Sequence, residues 1–147
     1  MDKTGIRPIV LCLFRDGDRI LVSESYDSVK GDYYCRPLGG GIEFGEPSRD
    51  AMLREIQEEI GAEVEGLELI GVLENIFICE GVQGHEVVFI YDARFKDSEL
   101  YEREEIQCYE MGCDAGFVAK WRSLQEIRTR NIRLVPQGLA DLLSEGN

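Results

Sequence analysis

The sequence predicts an α/β fold, a mixed sheet with helices on both faces in an α/β/α sandwich. Three observations predict it. Segments rich in β-formers lie both before and after a helical stretch that starts at Pro47 and stops at Gly61, so helices and strands alternate along the chain. A last helical segment closes the chain near residues 136–144. The 147 residues are the size of one ordinary domain, and 44% hydrophobic content supplies a real core. One domain over residues 1–147 is therefore expected.

Ile6 to Phe14 and Arg19 to Ser23 flank Asp16-Gly17-Asp18, a hairpin signal. Asp32 to Arg36 reads as a short strand ended by Pro37, and Leu38-Gly39-Gly40-Gly41-Ile42 as a turn that lets the backbone approach something closely. In the helix that follows, Pro47 suits the first helical position, Asp50 places negative charge at the positive end of the dipole, and Gly61 is a C-terminal stop. At 100° per residue, Met52, Leu53, Ile56 and Ile60 form an apolar stripe, with Glu55, Glu58 and Glu59 on the neighbouring face.

Leu67 to Cys79 and His85 to Phe95 are long β-like segments joined by the turn Glu80 to Gly84, which predicts an antiparallel pair. Asp97 to Asp114 is polar and acidic and reads as a loop, with room for one strand or turn; long loops in compact domains are often functional. Gly116 to Trp121 returns to strand, with Trp121 as a core anchor. Ser123-Leu124-Gln125-Glu126 has the form of a capping box opening a short helix, and Pro136 is expected to start the last one.

Composition excludes several functions. With 16 basic and 29 acidic residues the net charge is −13, which opposes diffuse electrostatic binding to nucleic acid or anionic membrane. No stretch approaches the roughly 20 apolar residues of a membrane-spanning helix, and the N-terminal apolar run is too short for a signal peptide, so a cytoplasmic protein is expected. Five cysteines (Cys12, Cys35, Cys79, Cys108, Cys113) and the single His85 form no zinc-type spacing. Cys12 and Cys79 read as small core residues, while Cys108 and Cys113 are candidates for partial exposure. His85 reads as a turn or surface residue rather than a ligand.

The stretch Gly40 to Ala62, GGIEFGEPSRDAMLREIQEEIGA, carries the chemistry. Carboxylates gathered on one helix repel one another, and a hard cation among them offsets that repulsion. Mg²⁺ or Mn²⁺ prefers such oxygen ligands, and held there it can neutralise and orient a pyrophosphate. Arg54 lies one turn before Glu58 and can pair with it or with Glu46, fixing a carboxylate. Arg36, just before the glycines, is a candidate phosphate contact or a plain surface residue. Glu74 and Asn75 interrupt an apolar strand and are candidates to face a substrate cleft. Tyr33, Tyr34 and Phe77 are candidates to stack a base, although core packing is the simpler reading of each.

Gly40, Glu46, Arg54, Glu55, Ile56, Glu58, Glu59 and Gly61 stand in register with a known pattern, and the stretch resembles the Nudix box of MutT-like hydrolases. The one departure is Ala62, where the family usually has a bulkier aliphatic residue, a difference of packing. The resemblance implies a Nudix-type α/β/α sandwich. It implies a divalent ion, Mg²⁺ or Mn²⁺, held by Glu58 and Glu59, with Glu55 as ligand or water-activating group and a backbone carbonyl from Gly39-Gly40 completing the site. It makes Arg54 an orienting partner of Glu46. The activity implied is hydrolysis of the pyrophosphate linkage of a nucleoside diphosphate joined to another moiety. Arg36, Gly39, Gly41 and Glu74 are the expected substrate contacts, and a nucleotide-type small molecule is the expected partner, with a homodimer implied by analogy.

The family's general base varies and often lies outside the box; here Glu99, Glu102, Glu104, Glu105 and Glu110 are open candidates, and Glu86 is a further candidate ligand. No proline falls between Pro47 and Pro136, and Phe77-Ile78-Cys79 stands where a diadenosine-polyphosphate branch carries tyrosine. By elimination, a nucleoside triphosphate is one candidate substrate. The alternative function is a catalytically silent Nudix-fold sensor or regulator, against which the intact glutamates argue.

Overall fold

A computed structural model describes residues 5–110 and 113–145. Eight strands among them form one mixed sheet: β1 (Arg7–Asp16), β2 (Arg19–Asp27), β3 (Asp32–Gly41), β4 (Val64–Cys79), β5 (Val82–Phe95), β6 (Glu105–Glu110), β7 (Cys113–Ser123) and the short β8 (Arg133–Leu134). The order is β4-β5-β1-β3-β2-β7-β6, with β8 added beside β3. Strand β1 runs parallel to β5, from Arg7 opposite Glu86 to Phe14 opposite Ala93, and antiparallel to β3. Among the described residues the α-helices are α1 (Ser48–Ile60), α2 (Leu124–Thr129) and α3 (Leu139–Glu145).

The sheet is covered on both faces, which explains the unbroken apolar run of β1. Val10, Cys12 and Phe14 point to one face and pack with Met52 and Ile56 of α1. Ile9, Leu11 and Leu13 point to the other and pack with Ile127 of α2 and with Leu139 and Leu143 of α3. The predicted sandwich is thus observed.

Several boundaries differ from the sequence reading. Pro37 does not end β3. Up to Pro37 the strand pairs with β2, and from Leu38 it pairs with β1. The residue without an N–H sits where the strand changes partners, so it interrupts neither ladder. The β4–β5 turn is tighter than expected, with Cys79 and Val82 already paired across Glu80-Gly81. Part of 97–114 is ordered as a 3₁₀ turn, Ser98–Tyr101, followed by β6. Positions 111–112, Met1 to Thr4 and the side chains of Cys113 and Asp114 lie outside the described residues.

Pro47 stands at the N-cap of α1 rather than inside it, while Gly61 adopts the expected left-handed C-cap with φ 70°. Ser123 forms the full capping box with Glu126, and Trp121 is buried with its indole N–H donating to the Leu100 carbonyl. Cys108 is fully buried, contrary to expectation, because β6 alternates and turns Ile106 and Cys108 inward. Cys79 is only half-buried.

Candidate active site

Strand β3 reaches α1 through the glycines. A Cβ on Gly39 would collide with the Val10 carbonyl oxygen and stand 2.9 Å from Leu11 Cα, so the absent side chain lets β3 close on β1. A Cβ on Gly40 would stand 2.5 Å from the Glu55 carboxyl group. The approach expected of the glycines is therefore made by the chain itself: β1 against Gly39, and α1 against Gly40.

These elements form one wall of a cleft of about 650 Å³. Glu55, Glu58, Glu59 and Gly39 to Gly41 line that wall, and Arg36 stands beside them. Asn75, Phe77 and Cys79 of β4 line another side, with Tyr34, Arg133 and Pro136 near them. Of the acidic candidates in 97–114, Glu110 lines the cleft; Glu99, Glu102, Glu104 and Glu105 are exposed and do not. Glu86 lines it as well. Glu74 departs from expectation: strand alternation turns it out to solvent and turns its neighbour Asn75 inward. Tyr33 also faces out, against Tyr26, whereas Tyr34 and Phe77 face the cleft. His85 is in β5 and does not line the cleft.

The three glutamates differ more than a shared face suggested. Glu59 falls seven residues after Met52 and three after Ile56, on the apolar stripe itself, and is only 7% exposed. Its Oε1 has no hydrogen-bond partner among the described residues. Burial, then the nearby charge of Glu55, pushes its carboxyl up to about 8, with Glu110 adding to the rise and Arg36 opposing it. Glu55 is half-buried and also raised, by burial first, with Arg54 pulling the other way. Glu58 is exposed.

Arg54 organises the group. Its Nε and Nη2 donate to the two oxygens of Glu46 at 2.8 and 2.9 Å, and Nη2 also donates to the Gly41 carbonyl at 2.9 Å. Its Nη1 donates to Glu55 at 3.0 Å and to Glu58 at 3.3 Å. The pair expected with Glu46 and the pair expected with Glu58 are both formed. This forked contact holds Glu46 down at about 2. Among the described residues no three His, Cys, Asp or Glu side chains are gathered into a ready-made metal cage; Arg54 supplies the counter-charge to Glu55 and Glu58 instead. The donor set nevertheless fits a hard divalent cation, because every donor is oxygen and the deepest one, Glu59 Oε1, lacks a partner.

Arg7 and Arg133 also line the cleft, and the sequence reading named neither. Arg133 is brought there by the parallel pairing of β8 with β3, about a hundred residues away in the chain, which leaves no local signal. Asp32 grips its guanidinium at 2.7 and 2.9 Å, and it lies 5.6 Å from the Tyr34 ring centroid. Arg7 stands as a lone charge at the head of the apolar run Pro8 to Phe14, a signal that could have found it.

An acidic helix behind paired glycines, facing a cleft in a two-faced mixed sheet, defines a class that the comparisons name. The sequence model of the NUDIX domain matches residues 5–141, and the chain belongs to this family. It is similar to the NAD-capped RNA hydrolase NudC of Pseudomonas aeruginosa, 30% identical over 100 residues that make up 68% of this chain and 33% of that protein. The chain thus spans about a third of the length of that curated relative. Among solved structures it resembles a NUDIX hydrolase from Nitrosomonas europaea, with TM-score 0.66 and 19% identity over 97% of this chain and 88% of the other. It also resembles a MutT NUDIX hydrolase from Burkholderia pseudomallei, with TM-score 0.59 and 23% identity over 90% and 88%. At these identities the structural likeness speaks for the fold.

Proposed function

We propose that this chain hydrolyses the pyrophosphate linkage of a nucleoside diphosphate joined to another moiety, releasing a nucleoside monophosphate and the remaining phosphorylated group. Glu55, Glu58, Glu59 and the Gly40 carbonyl would hold a divalent ion, Mg²⁺ or Mn²⁺. When bound, such an ion offsets phosphate charge and lowers the pKa of a coordinated water. The observation that carries this reading is Glu59, a buried carboxyl with an unpartnered oxygen at the wall of an open cleft. A group so placed destabilises the fold and is retained where it serves the chemistry.

The chain's own residues then have distinct tasks. Arg36 stands close enough to Glu59 to oppose its rise, and it has no ion-pair partner among the described residues; it binds phosphate oxygens of the substrate. Arg54 acts at one remove, clamping Glu46 and steadying Glu55 and Glu58. Glu110, the member of the 97–114 set that reaches the cleft, accepts the proton of the attacking water. Glu110→Gln is expected to lower kcat by about 10²-fold with little change in KM. An unchanged kcat assigns the proton to another group.

The substrate panel follows from the same reading. Likeness to an NAD-capped RNA hydrolase puts NAD-capped RNA in it, beside NAD, ADP-ribose, a diadenosine polyphosphate and the nucleoside triphosphates. A charge of −13 favours the small molecules over the RNA. The test is incubation with Mg²⁺ in ¹⁸O-labelled water, with products resolved by mass. Label in a monophosphate identifies the attacked phosphorus and supports the proposal. Nucleotide binding without turnover on any member transfers the protein to the silent-sensor reading.

A further inference from the structure

Two turns far apart in the chain are tied together at the end of the cleft away from α1. At the last position of β2, where the β2–β3 turn begins, Asp27 is 0% exposed, and its Oδ1 accepts from the backbone N–H groups of Val29 and Lys30, each at 3.0 Å. Its Oδ2 accepts from the N–H of Glu80, in the β4–β5 turn, at 3.3 Å. Glu80 answers across the gap: its Oε1 accepts from the Ser28 N–H at 2.8 Å and its Oε2 from the Ser28 hydroxyl. Just inside this tie, the Cys79 thiol donates to the Tyr34 hydroxyl at 3.6 Å.

The tie matters because of what hangs from the two turns. Strand β4 carries Phe77 and Cys79 into the cleft, and β3 carries Tyr34 and Arg36. These strands are not neighbours in the sheet; β5 and β1 lie between them. No ladder therefore sets the spacing of those two walls at this end. Glu80 is moreover a non-glycine residue with φ 52°, a conformation held against its own preference.

The geometry points to the Asp27–Ser28–Glu80 tie as a positioning device that sets the width of the aromatic end of the cleft, between Tyr34 and Phe77, and so the affinity for the nucleoside end of the substrate. The inference rests on the cleft being a nucleotide site. Asp27, Ser28 and Glu80 do not line the cleft; they act through the strands they fix. Aromatic faces grip a base by stacking only at one separation, so a slack wall loses the base while the phosphates, held at the α1 end, stay in place.

The variants are D27N, S28A and E80N. Asparagine at position 80 tolerates the left-handed turn yet is too short to repeat the double contact with Ser28. Binding of AMP and of ribose 5-phosphate is measured by calorimetry, and kcat and KM on the best nucleotide substrate by steady-state assay. The expected result is an AMP Kd and a substrate KM raised about tenfold, with ribose 5-phosphate binding and kcat within about twofold of wild type. Should D27N fail to fold, S28A and E80N carry the test, since both positions are exposed. Folded variants with unchanged AMP binding overturn the inference alone. A kcat that falls in step with the melting temperature also overturns it, because that is the mark of a merely structural tie. A wild-type protein that binds neither AMP nor ribose 5-phosphate overturns the nucleotide reading of the cleft and this inference with it.

Discussion

Glu59, which lines the cleft beside α1, and Asp27, which lies outside it in the tie between the two turns, are both buried acids, and they are treated in opposite ways. Asp27 receives three backbone N–H bonds, which hold its carboxyl below the usual range. Glu59 has an oxygen with no partner, and burial beside Glu55 drives it up to about 8. A chain able to satisfy one buried acid fully could satisfy the other. The contrast marks the hairpin end as built for rigidity and the α1 end as built to be completed by something else.

The strongest break in that comparison is chemical. Replacing Glu58 or Glu59 by Gln keeps shape and removes one negative charge. Turnover is expected to fall by about two to four orders of magnitude, with the circular dichroism spectrum unchanged. A variant of either kind with near-normal kcat removes that residue from the chemistry.

The next effect is on stability, and its sign separates the two ends. The Glu59 pKa lies at about 8 in the fold against an ordinary 4.5, so between those values the folded protein binds more protons than the unfolded chain. Stability contributed at low pH is therefore lost as pH rises through that window. Glu46 has the opposite sign: held at about 2, it contributes stability above its ordinary 4.5 that is lost as pH falls towards 2. In EDTA, chemical denaturation should show a maximum near pH 5 and a decline on the order of 3–5 kcal/mol towards pH 8. Glu59→Gln should abolish the decline and be the more stable protein at pH 8. Added Mg²⁺ should raise the wild-type melting temperature at pH 8 and leave that of the variant unmoved. A flat wild-type profile would mean that Glu59 is solvated in solution.

What the sequence disclosed follows the same divide. The α1 box, its Gly61 stop and the Ser123 cap are local patterns, and each was legible because the physics acts within a turn or two of helix. The β4–β5 pairing was legible for the same reason, with two apolar runs meeting at a turn. The partner change at Pro37 was not, because nothing near Pro37 says that β1 lies in wait for Leu38. Nor was the arrival of Glu110 at the cleft in place of four neighbouring glutamates, which depends on where β6 meets α1, or the arrival of Arg133, which depends on β8 joining β3. Glu59 was half legible: its place on the stripe of Met52 and Ile56 could be counted, yet an acidic residue there was read as belonging to the polar face.

Arg54 gives a smaller break within the α1 end. Arg54→Lys keeps the charge and loses the fork that reaches both oxygens of Glu46 and the Gly41 carbonyl. The guanidinium is 25% exposed, so solvent weakens but does not cancel the loss. A stability decrease of about 1–2 kcal/mol is expected, with kcat reduced about tenfold as Glu55 and Glu58 lose their anchor. A fall in stability with kcat unchanged would confine Arg54 to the fold.

The smallest effect belongs to a site that should move only one axis. Ser123 accepts from the Glu126 N–H at 3.0 Å, and Glu126 returns a bond to the Ser123 N–H at 3.3 Å. Neither residue lines the cleft. Ser123→Ala removes one cap bond and leaves a helix-terminal N–H to water, a loss of about 1 kcal/mol, or roughly 3 °C in melting temperature for a chain of this size. Because α2 buries Ile127 on the sheet face away from α1, that loss should not reach the carboxylates. Turnover and KM are expected within about twofold of wild type. If Ser123→Ala instead lowered kcat as far as Arg54→Lys does, loss of stability alone would account for both, and the division of the cleft into a rigid end and an end built for chemistry would lose its kinetic support.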